Sequence, residues 1–440
     1  MTSEAKVTSL HHEPRVYSRD EHTISRRNIS PNALKVLYRL NGAGFRACLV
    51  GGGVRDLLLG REPKDFDIAT DALPEQVREL FRNCRLIGRR FRLAHVRFGP
   101  EIIEVATFRA HHEENGEDTT NDDGRILRDN VYGTLDDDAW RRDFTVNALY
   151  YDIRDFSVID YVGGVEDLQH GVMRLIGDPE LRYREDPVRM LRAIRFAVKL
   201  GFRIDEASER PLTELGGLLE EIAPARLFDE SLKLFHGGCA LQTFEALRHY
   251  DIFRRLFPQA DAALSHEHVG FPATLIARAL ANTDQRIQEG KSVTPAFLLA
   301  AILWDAYEEQ RAQRLADGAS EQDAQAMAAD SVISQQVARL AVPRRFTQMT
   351  REIWGLQNRF LNPTPKRARR LLEHPRFRAA YDFLALRAQA GEPLDDTVDW
   401  WTKLQEADAD TRDGLLGGLR SQPGAGKPRR RRRRRPKEAS

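Results

Sequence analysis

Cysteine is scarce: three occur in 440 residues, Cys48, Cys84 and Cys239, far apart and never as a CxxC pair. That excludes a disulfide framework, argues against a cysteine-based zinc module, and fits a reducing cytoplasm. Long hydrophobic runs are missing as well. The longest strongly apolar stretch, Ala296 to Trp304, is nine residues, whereas a membrane-spanning helix needs about 20. No membrane span is expected. Met1 to Ser30 is polar, carries charges of both signs and lacks the apolar core of a secretory signal, so it reads as a mobile arm. Neither a Walker A string (GxxxxGK[ST]) nor a Rossmann GxGxxG is present, which removes the two commonest glycine-rich nucleotide loops.

Net charge is almost absent too, at +1, but its distribution is uneven. Lys427 to Lys437 carries nine cations, namely Lys427, Arg429, Arg430, Arg431, Arg432, Arg433, Arg434, Arg435 and Lys437, and no acid; the rest of the chain has 58 basic against 66 acidic residues. A cluster of that density beside a mildly acidic body suits a polyanion such as RNA, held through counterion release; its plainer reading is a solvated, disordered solubility tail. At roughly 150 residues per domain the length suggests two to four domains.

The order of patterns divides the chain. Asn32 to Leu40 places Leu34, Leu37 and Leu40 at helical spacing, and Gly42 and Gly44 close the helix. A short strand at Cys48 to Val50, a glycine triplet, a helix over Val54 to Leu59 and a strand around Phe66 to Ala69 follow. Pro74 suits the first turn of a helix through Phe81, and Leu93 to Phe98 with Ile102 to Phe108 reads as a hairpin across Gly99 and Pro100. His111 to Asp129 is acidic and aperiodic, an inserted mobile loop. From about Glu180 strand signals vanish and helical periodicity continues to about residue 415. The expected division is a flexible arm (1–30), a region of mixed strands and helices (31–178), two helical regions (179–270 and 271–416) and a disordered arginine-rich tail (417–440), which the resemblance given below makes head, RNA-binding neck, body and tail.

The sharpest chemical signal is Asp65-Phe66-Asp67 in LVGGGVRDLLLGREPKDFDIAT. On a strand, Asp65 and Asp67 share a face while Phe66 takes the other. Two parallel carboxylates make a hard-cation site. Magnesium is held by one or two carboxylates plus substrate phosphates, and a pair of ions stabilises attacking and leaving oxygens at phosphorus. Alone, an Asp-x-Asp string is more often a solvated edge. Gly51, Gly52 and Gly53 add context, because residues without Cβ let backbone amides approach a triphosphate at a helix start, where Arg55 supplies a charged fork.

The strings GGGVRD, KDFDIAT, RRDFTVNALYY and REDPVRMLRAIRFA, in that order, resemble class II members of the polymerase-β-type nucleotidyltransferase superfamily, which comprises bacterial poly(A) polymerases and tRNA CCA-adding enzymes. The resemblance covers roughly residues 30 to 260. It implies an α+β fold: a nucleotidyltransferase head, a small mixed β-sheet with helices, followed by all-α neck, body and tail regions. It implies ATP as substrate, RNA 3′ ends as acceptors and Mg²⁺ in a two-metal site. Residue by residue, it assigns metal binding to Asp65 and Asp67, triphosphate contact to Gly52 and Arg55, and contact with sugar and phosphates to Arg142 and Asp143. Asp143 is the favoured third catalytic acid; Glu104, on the following strand, is the open alternative. On a helix around Glu185 to Phe196, Asp186 and Arg189 are expected to face the base edge, with Arg192 and Arg195 near phosphates; Glu185 pairing with Arg189 on a solvated face is the structural alternative.

Three features favour the poly(A) polymerase branch. LIGRRFRLAHVRFG and EHTISRRNISPNALKVLYRLNGAG resemble that branch, as does Pro224 to Glu230 followed by Leu232 to Phe235. The arginine-rich end also suits an enzyme that holds varied RNAs. The expected reaction is template-independent transfer of AMP from ATP to RNA 3′ ends with release of pyrophosphate; the alternatives are CCA addition and a catalytically silent RNA-binding scaffold. His266-Glu267-His268 is read as a surface cluster rather than a metal site, and Phe297, Leu298, Ile302 and Trp304 as packed core.

Overall fold

The computed structural model describes residues 13–88, 92–110, 131–265 and 274–421. The acidic stretch His111 to Asp129, the cluster at His266 to His268 and the arginines Arg429 to Arg435 lie outside the described residues. The chain forms two compact units, Met1–Leu256 and Phe257–Ser440. No described helix is long and apolar enough to cross a membrane.

The first unit is organised by one mixed sheet. Its opening strand, β1 (Arg15–Tyr17), is followed by α1 (Pro31–Gly42), β2 (Ala47–Val50), α2 (Gly52–Leu58), β3 (Asp67–Thr70) and α3 (Pro74–Leu80). Then come β4 (Cys84–Ile87), β5 (Leu93–Phe98), β6 (Glu101–Thr107), α4 (Leu135–Trp140), β7 (Leu149–Asp152) and β8 (Ser157–Asp160). The sheet order is β1-β8-β7-β2-β3-β6-β5-β4, so β3 and β6, distant in sequence, are neighbours. They pair in parallel, with Asp67 opposite Glu104. The expected mixed sheet is present, and it is larger than the small sheet anticipated.

Local chemistry explains the framing elements. Ser30 caps α1 by accepting from the Asn32 amide at 3.1 Å, and Pro31 supplies the preset first turn. Gly51, at φ 75 and ψ −139, makes the turn from β2 into α2 in a conformation closed to side chains. Residues 13–30, expected to be part of a mobile arm, are instead built onto the sheet. Tyr17, Ile24 and Ile29 are buried, and β1 pairs antiparallel with β8. Three isolated apolar residues in a polar stretch show no periodicity, so only the packed fold reveals them.

After the sheet come α5 (Gly164–His170), β9 (Val172–Met173), α6 (Pro179–Glu185), α7 (Val188–Leu200), β10 (Arg203–Ile204), α8 (Glu206–Leu215), α9 (Pro224–Phe235) and α10 (Ala240–His249). One expectation is corrected here: strands do not end at residue 180, since β10 pairs in parallel with β9. Two residues are too few to carry an alternation pattern. The second unit is helical throughout its described residues. Leu298, Ile302 and Trp304 are buried in it as expected, and the half-buried Phe297 packs edge-on against Phe383 at 5.9 Å.

Candidate active site

A cavity of about 380 Å³ opens on one face of the first unit's sheet, and Asp67, Glu104, Arg142, Asp186 and Arg189 are among its lining residues. Asp67 enters from the start of β3 and Glu104 from the adjacent position of β6. One strand further, His95 stands opposite Glu104, and its Nε2 lies 3.3 Å from Glu104 Oε2. Loss of solvent first, and the Glu104 carboxylate second, hold the Asp67 carboxyl up at about 6 against an ordinary 3.8; Arg142 lowers it and Asp65 raises it. Two carboxylates drawn together and partly desolvated are the arrangement a divalent cation relieves.

Asp65 sits just before β3 rather than on it, because regular pairing starts at Asp67, opposite Val50. The alternation survives: Asp65 and Asp67 are exposed on either side of buried Phe66. The glycine turn is adjacent, since a Cβ at Gly53 would come within 3.3 Å of the Asp65 carbonyl oxygen. Among the described residues no group of three or more His, Cys, Asp or Glu forms a ready-made cation cage. Magnesium takes one or two carboxylates and completes its octahedron with water and phosphate oxygens, a demand the neighbouring Asp67 and Glu104 carboxylates meet.

The cavity's other wall is cationic. Arg142 is locked by Asp138, whose Oδ2 accepts from its Nε at 3.1 Å and Nη2 at 2.8 Å, while the Tyr150 hydroxyl donates to the same oxygen at 2.7 Å. Burial works against the Arg142 charge, but Asp138 and Tyr150 more than offset it, so its pKa is raised. Arg141 lines the same space, and burial together with Arg109, Arg142 and Arg182 pushes it down to about 9. Guanidiniums crowded to that extent favour an incoming polyanion. Asp138 and Arg109, also lining residues, were not among the sequence candidates. The i,i+4 spacing of Asp138 and Arg142 was the available signal.

Other sequence candidates fall elsewhere. Asp143 does not reach the cavity wall: Arg192 Nε donates to its Oδ2 at 2.7 Å and the Phe144 amide to its Oδ1 at 2.9 Å. Burial raises its pKa, yet Arg192 and the backbone bond bring it below the usual carboxylate range. The geometry therefore gives the place beside Asp67 to Glu104 and makes Asp143 the anchor of Arg192. Asp143→Ala is expected to leave Arg192 without its partner and to cost about 3 kcal/mol of stability, checked by urea unfolding. Arg55 is buried, donating to Asn147 Oδ1 at 2.6 Å and to Asp56, with its guanidinium 3.4 Å from where a Cβ on Gly52 would stand.

The expected single helix from Glu185 to Phe196 is two. α6 ends at Glu185 and α7 begins at Val188, because a residue before proline is driven out of helical dihedrals; Asp186 takes φ −146 and ψ 92. That break turns Asp186 into the cavity beside Arg189. Arg226, from α9, donates to Asp186 Oδ2 at 2.7 Å, and Arg189 pairs with Glu185 as the structural alternative anticipated. Further along α7, the guanidiniums of Arg192, Arg195 and, from α2, Arg55 lie 5.2, 4.3 and 5.5 Å from the centroid of the Phe196 ring. Arg195 Nε is buried without a hydrogen-bond partner.

A mixed sheet that presents paired carboxylates beside a glycine turn, faced by a wall of arginines, defines a polymerase-β-type nucleotidyltransferase. Residues 47–174 match the family model described as the poly A polymerase head domain, 201–264 a probable RNA and SrmB-binding site of polymerase A, and 317–437 a polymerase A arginine-rich C-terminus. The chain is 52% identical to poly(A) polymerase I of Escherichia coli O6:H1 over 99% of its own length and 95% of that protein. It is 47% identical to poly(A) polymerase I of Haemophilus influenzae over 89% of this chain and 88% of that one. Among solved structures, the CCA-adding enzyme of Bacillus stearothermophilus in complex with CTP shares the fold, with a TM-score of 0.57 and 24% identity, over 85% of this chain and 82% of that one. The chain belongs to the poly(A) polymerase I family, and it is a polynucleotide adenylyltransferase.

Proposed function

We propose that the cavity around Asp67 and Glu104 binds ATP with divalent metal and that an RNA 3′ hydroxyl attacks the α-phosphorus there. The new bond joins the RNA oxygen to the α-phosphorus, the bond to the β-phosphate breaks, and pyrophosphate leaves. The observation that carries this reading is the register match of Asp67 with Glu104 in a cavity walled by Arg109, Arg141, Arg142 and Arg189. Asp65, Asp67 and Glu104 would hold Mg²⁺, which supplies Lewis acidity to the attacking and leaving oxygens. Arg142, fixed by Asp138 and Tyr150, meets the phosphates, and the amides of the Gly51 to Gly53 turn approach them from the side.

Base choice falls to Asp186 and Arg189. Adenine offers an N6 donor and an N1 acceptor, complementary to a carboxylate and a guanidinium. The ion pair from Arg226 orients Asp186, so Arg226 is a positioning residue. Arg226→Ala is expected to lower kcat/KM for ATP and to narrow the preference for ATP over CTP by about tenfold, read from single-nucleotide incorporation; an unchanged ratio removes that role. The neck (179–270) and the arginine-rich tail (417–440) would hold the RNA body.

The experiment is direct: the full chain is incubated with Mg²⁺, a generic oligoribonucleotide and either ATP or CTP, and products are sized on a gel. A ladder with ATP alone is expected. Efficient CTP use on a tRNA lacking its 3′ end would reassign the chemistry to CCA addition, and no lengthening with either nucleotide would leave only an RNA-binding role.

A further inference from the structure

On the opposite side of the sheet from the catalytic cavity lies a second recess of about 650 Å³, whose lining includes Arg19, Arg26, Arg27, Tyr38, Tyr151 and Phe156 and no carboxylate. The two faces are fixed by β7. Tyr150 turns its hydroxyl to Arg142 at 2.9 Å on the catalytic side, and the next residue, Tyr151, lines the recess, as strand alternation requires. We propose that this recess is a second RNA-contact site, gripping the body of the substrate strand away from its 3′ end. It rests on the reading of RNA as acceptor.

The recess has both chemistries that single-stranded nucleic acid needs. Three exposed guanidiniums provide phosphate forks, and no described carboxylate forms an ion pair with any of them. The acidic groups of the neighbouring segments, Asp20, Glu21 and Asp155, accept hydrogen bonds from Ser18 and Ser157 and line no part of the recess. Aromatic surface accompanies the charge. Tyr38 is 47% exposed and accepts from Arg26 Nη1 at 2.9 Å, while Arg26 lies over the Phe156 ring at 4.5 Å. Bases stack on such rings and on guanidinium planes regardless of sequence, while phosphates pair with the arginines. A protein partner would have to bring unusual acidity to match a recess with three cations and no anion.

The site is also built rather than incidental. Phe156 occupies φ 63, a left-handed conformation that a bulky side chain keeps only when its surroundings enforce it. Its carbonyl oxygen lies 2.8 Å from His22 Nε2, and the His22 ring packs edge-on against Tyr151 at 5.9 Å. This clamp holds residues 19–27 in place, so the ordering of the N-terminal stretch positions its arginines. The residues come from the opening segment, from α1 and from the hairpin of β7 and β8, with more than 100 positions between the first two and the last.

The test uses the full chain, a labelled long oligoadenylate and a polyglutamate peptide. Replacing Arg19, Arg26 and Arg27 together by alanine is expected to weaken oligoadenylate binding about tenfold at moderate salt, and to flatten the slope of log K against log salt by about 2, at roughly 0.7 per lost single-strand phosphate contact. Arg27→Glu, at an exposed position outside the aromatic contacts, is expected to weaken binding in the same direction without disturbing the clamp. Wild-type affinity and salt slope in both variants overturn the proposal, as does polyglutamate binding that is lost in the triple variant while RNA binding is retained. Wild-type extension of a trinucleotide primer with ATP is measured alongside. Its failure would count against the adenylyl-transfer reading, whereas the binding comparison bears on the recess alone.

Discussion

Asp67→Asn is expected to abolish AMP incorporation, by at least about a thousandfold, in a protein that is no less stable than the wild type. The catalytic half follows from position: Asp67 opens β3 inside the cavity, opposite Glu104, and an amide there can neither balance a divalent charge nor replace an anionic ligand. The stability half follows from its pKa of about 6, set by burial and Glu104. A carboxyl that holds its proton more tightly in the folded than in the unfolded chain favours folding below about 4, and that contribution is lost as pH rises through 6. At pH 7.5 the wild type therefore carries a strained charge that asparagine lacks. Discounted because water still reaches one side of this partly desolvated carboxyl, the gain is about 1 kcal/mol, or roughly 2 °C in Tm. Thermal unfolding from pH 4 to 8 checks it: the advantage of Asp67→Asn should grow with pH and shrink when Mg²⁺ and ATP are present. Equal Tm values at every pH would contradict the electrostatic description of the cavity.

Glu104→Gln is expected to lower kcat about a hundredfold and to raise the Mg²⁺ concentration needed for half-maximal rate. Glu104 is isosteric with glutamine, and its hydrogen-bond neighbour His95 can also donate to an amide oxygen, so the fold should persist. Removing this charge also removes the second cause of the raised Asp67 pKa, so the acid limb of metal binding should move to lower pH. Metal titration of the rate at several pH values separates the two effects. Unchanged activity and unchanged metal dependence would return the third acidic role to Asp143, which the structure shows held by Arg192.

The contrast between these carboxylates also shows what is legible in a sequence. Asp65, Asp67 and the glycine triplet are readable because their chemistry is local: an alternation and a turn within a short string. Glu104 stays an open alternative because its register partner Asp67 lies 37 residues upstream, and parallel pairing leaves no mark in either strand alone. Asp143 and Arg55 carry the right charges in the right strings, yet their fates are decided by Arg192 and Asn147, which only packing brings near. Pro187 is a visible cue that the helix breaks at Asp186, but helical spacing of the arginines masks it. The opening segment is illegible for another reason: its three buried apolar residues among charges form no period, and the β8 partners of β1 are more than 140 positions away.

The decisive observation would be a crystal structure of the full chain soaked with Mn²⁺ and a non-hydrolysable ATP analogue. Anomalous manganese density between the carboxylates of Asp65, Asp67 and Glu104, with the triphosphate against Arg142 and the adenine edge at Asp186 and Arg189, is expected. Manganese bound away from Asp67, or a triphosphate seated outside this cavity, would contradict the assignment of the chemistry to this face of the sheet.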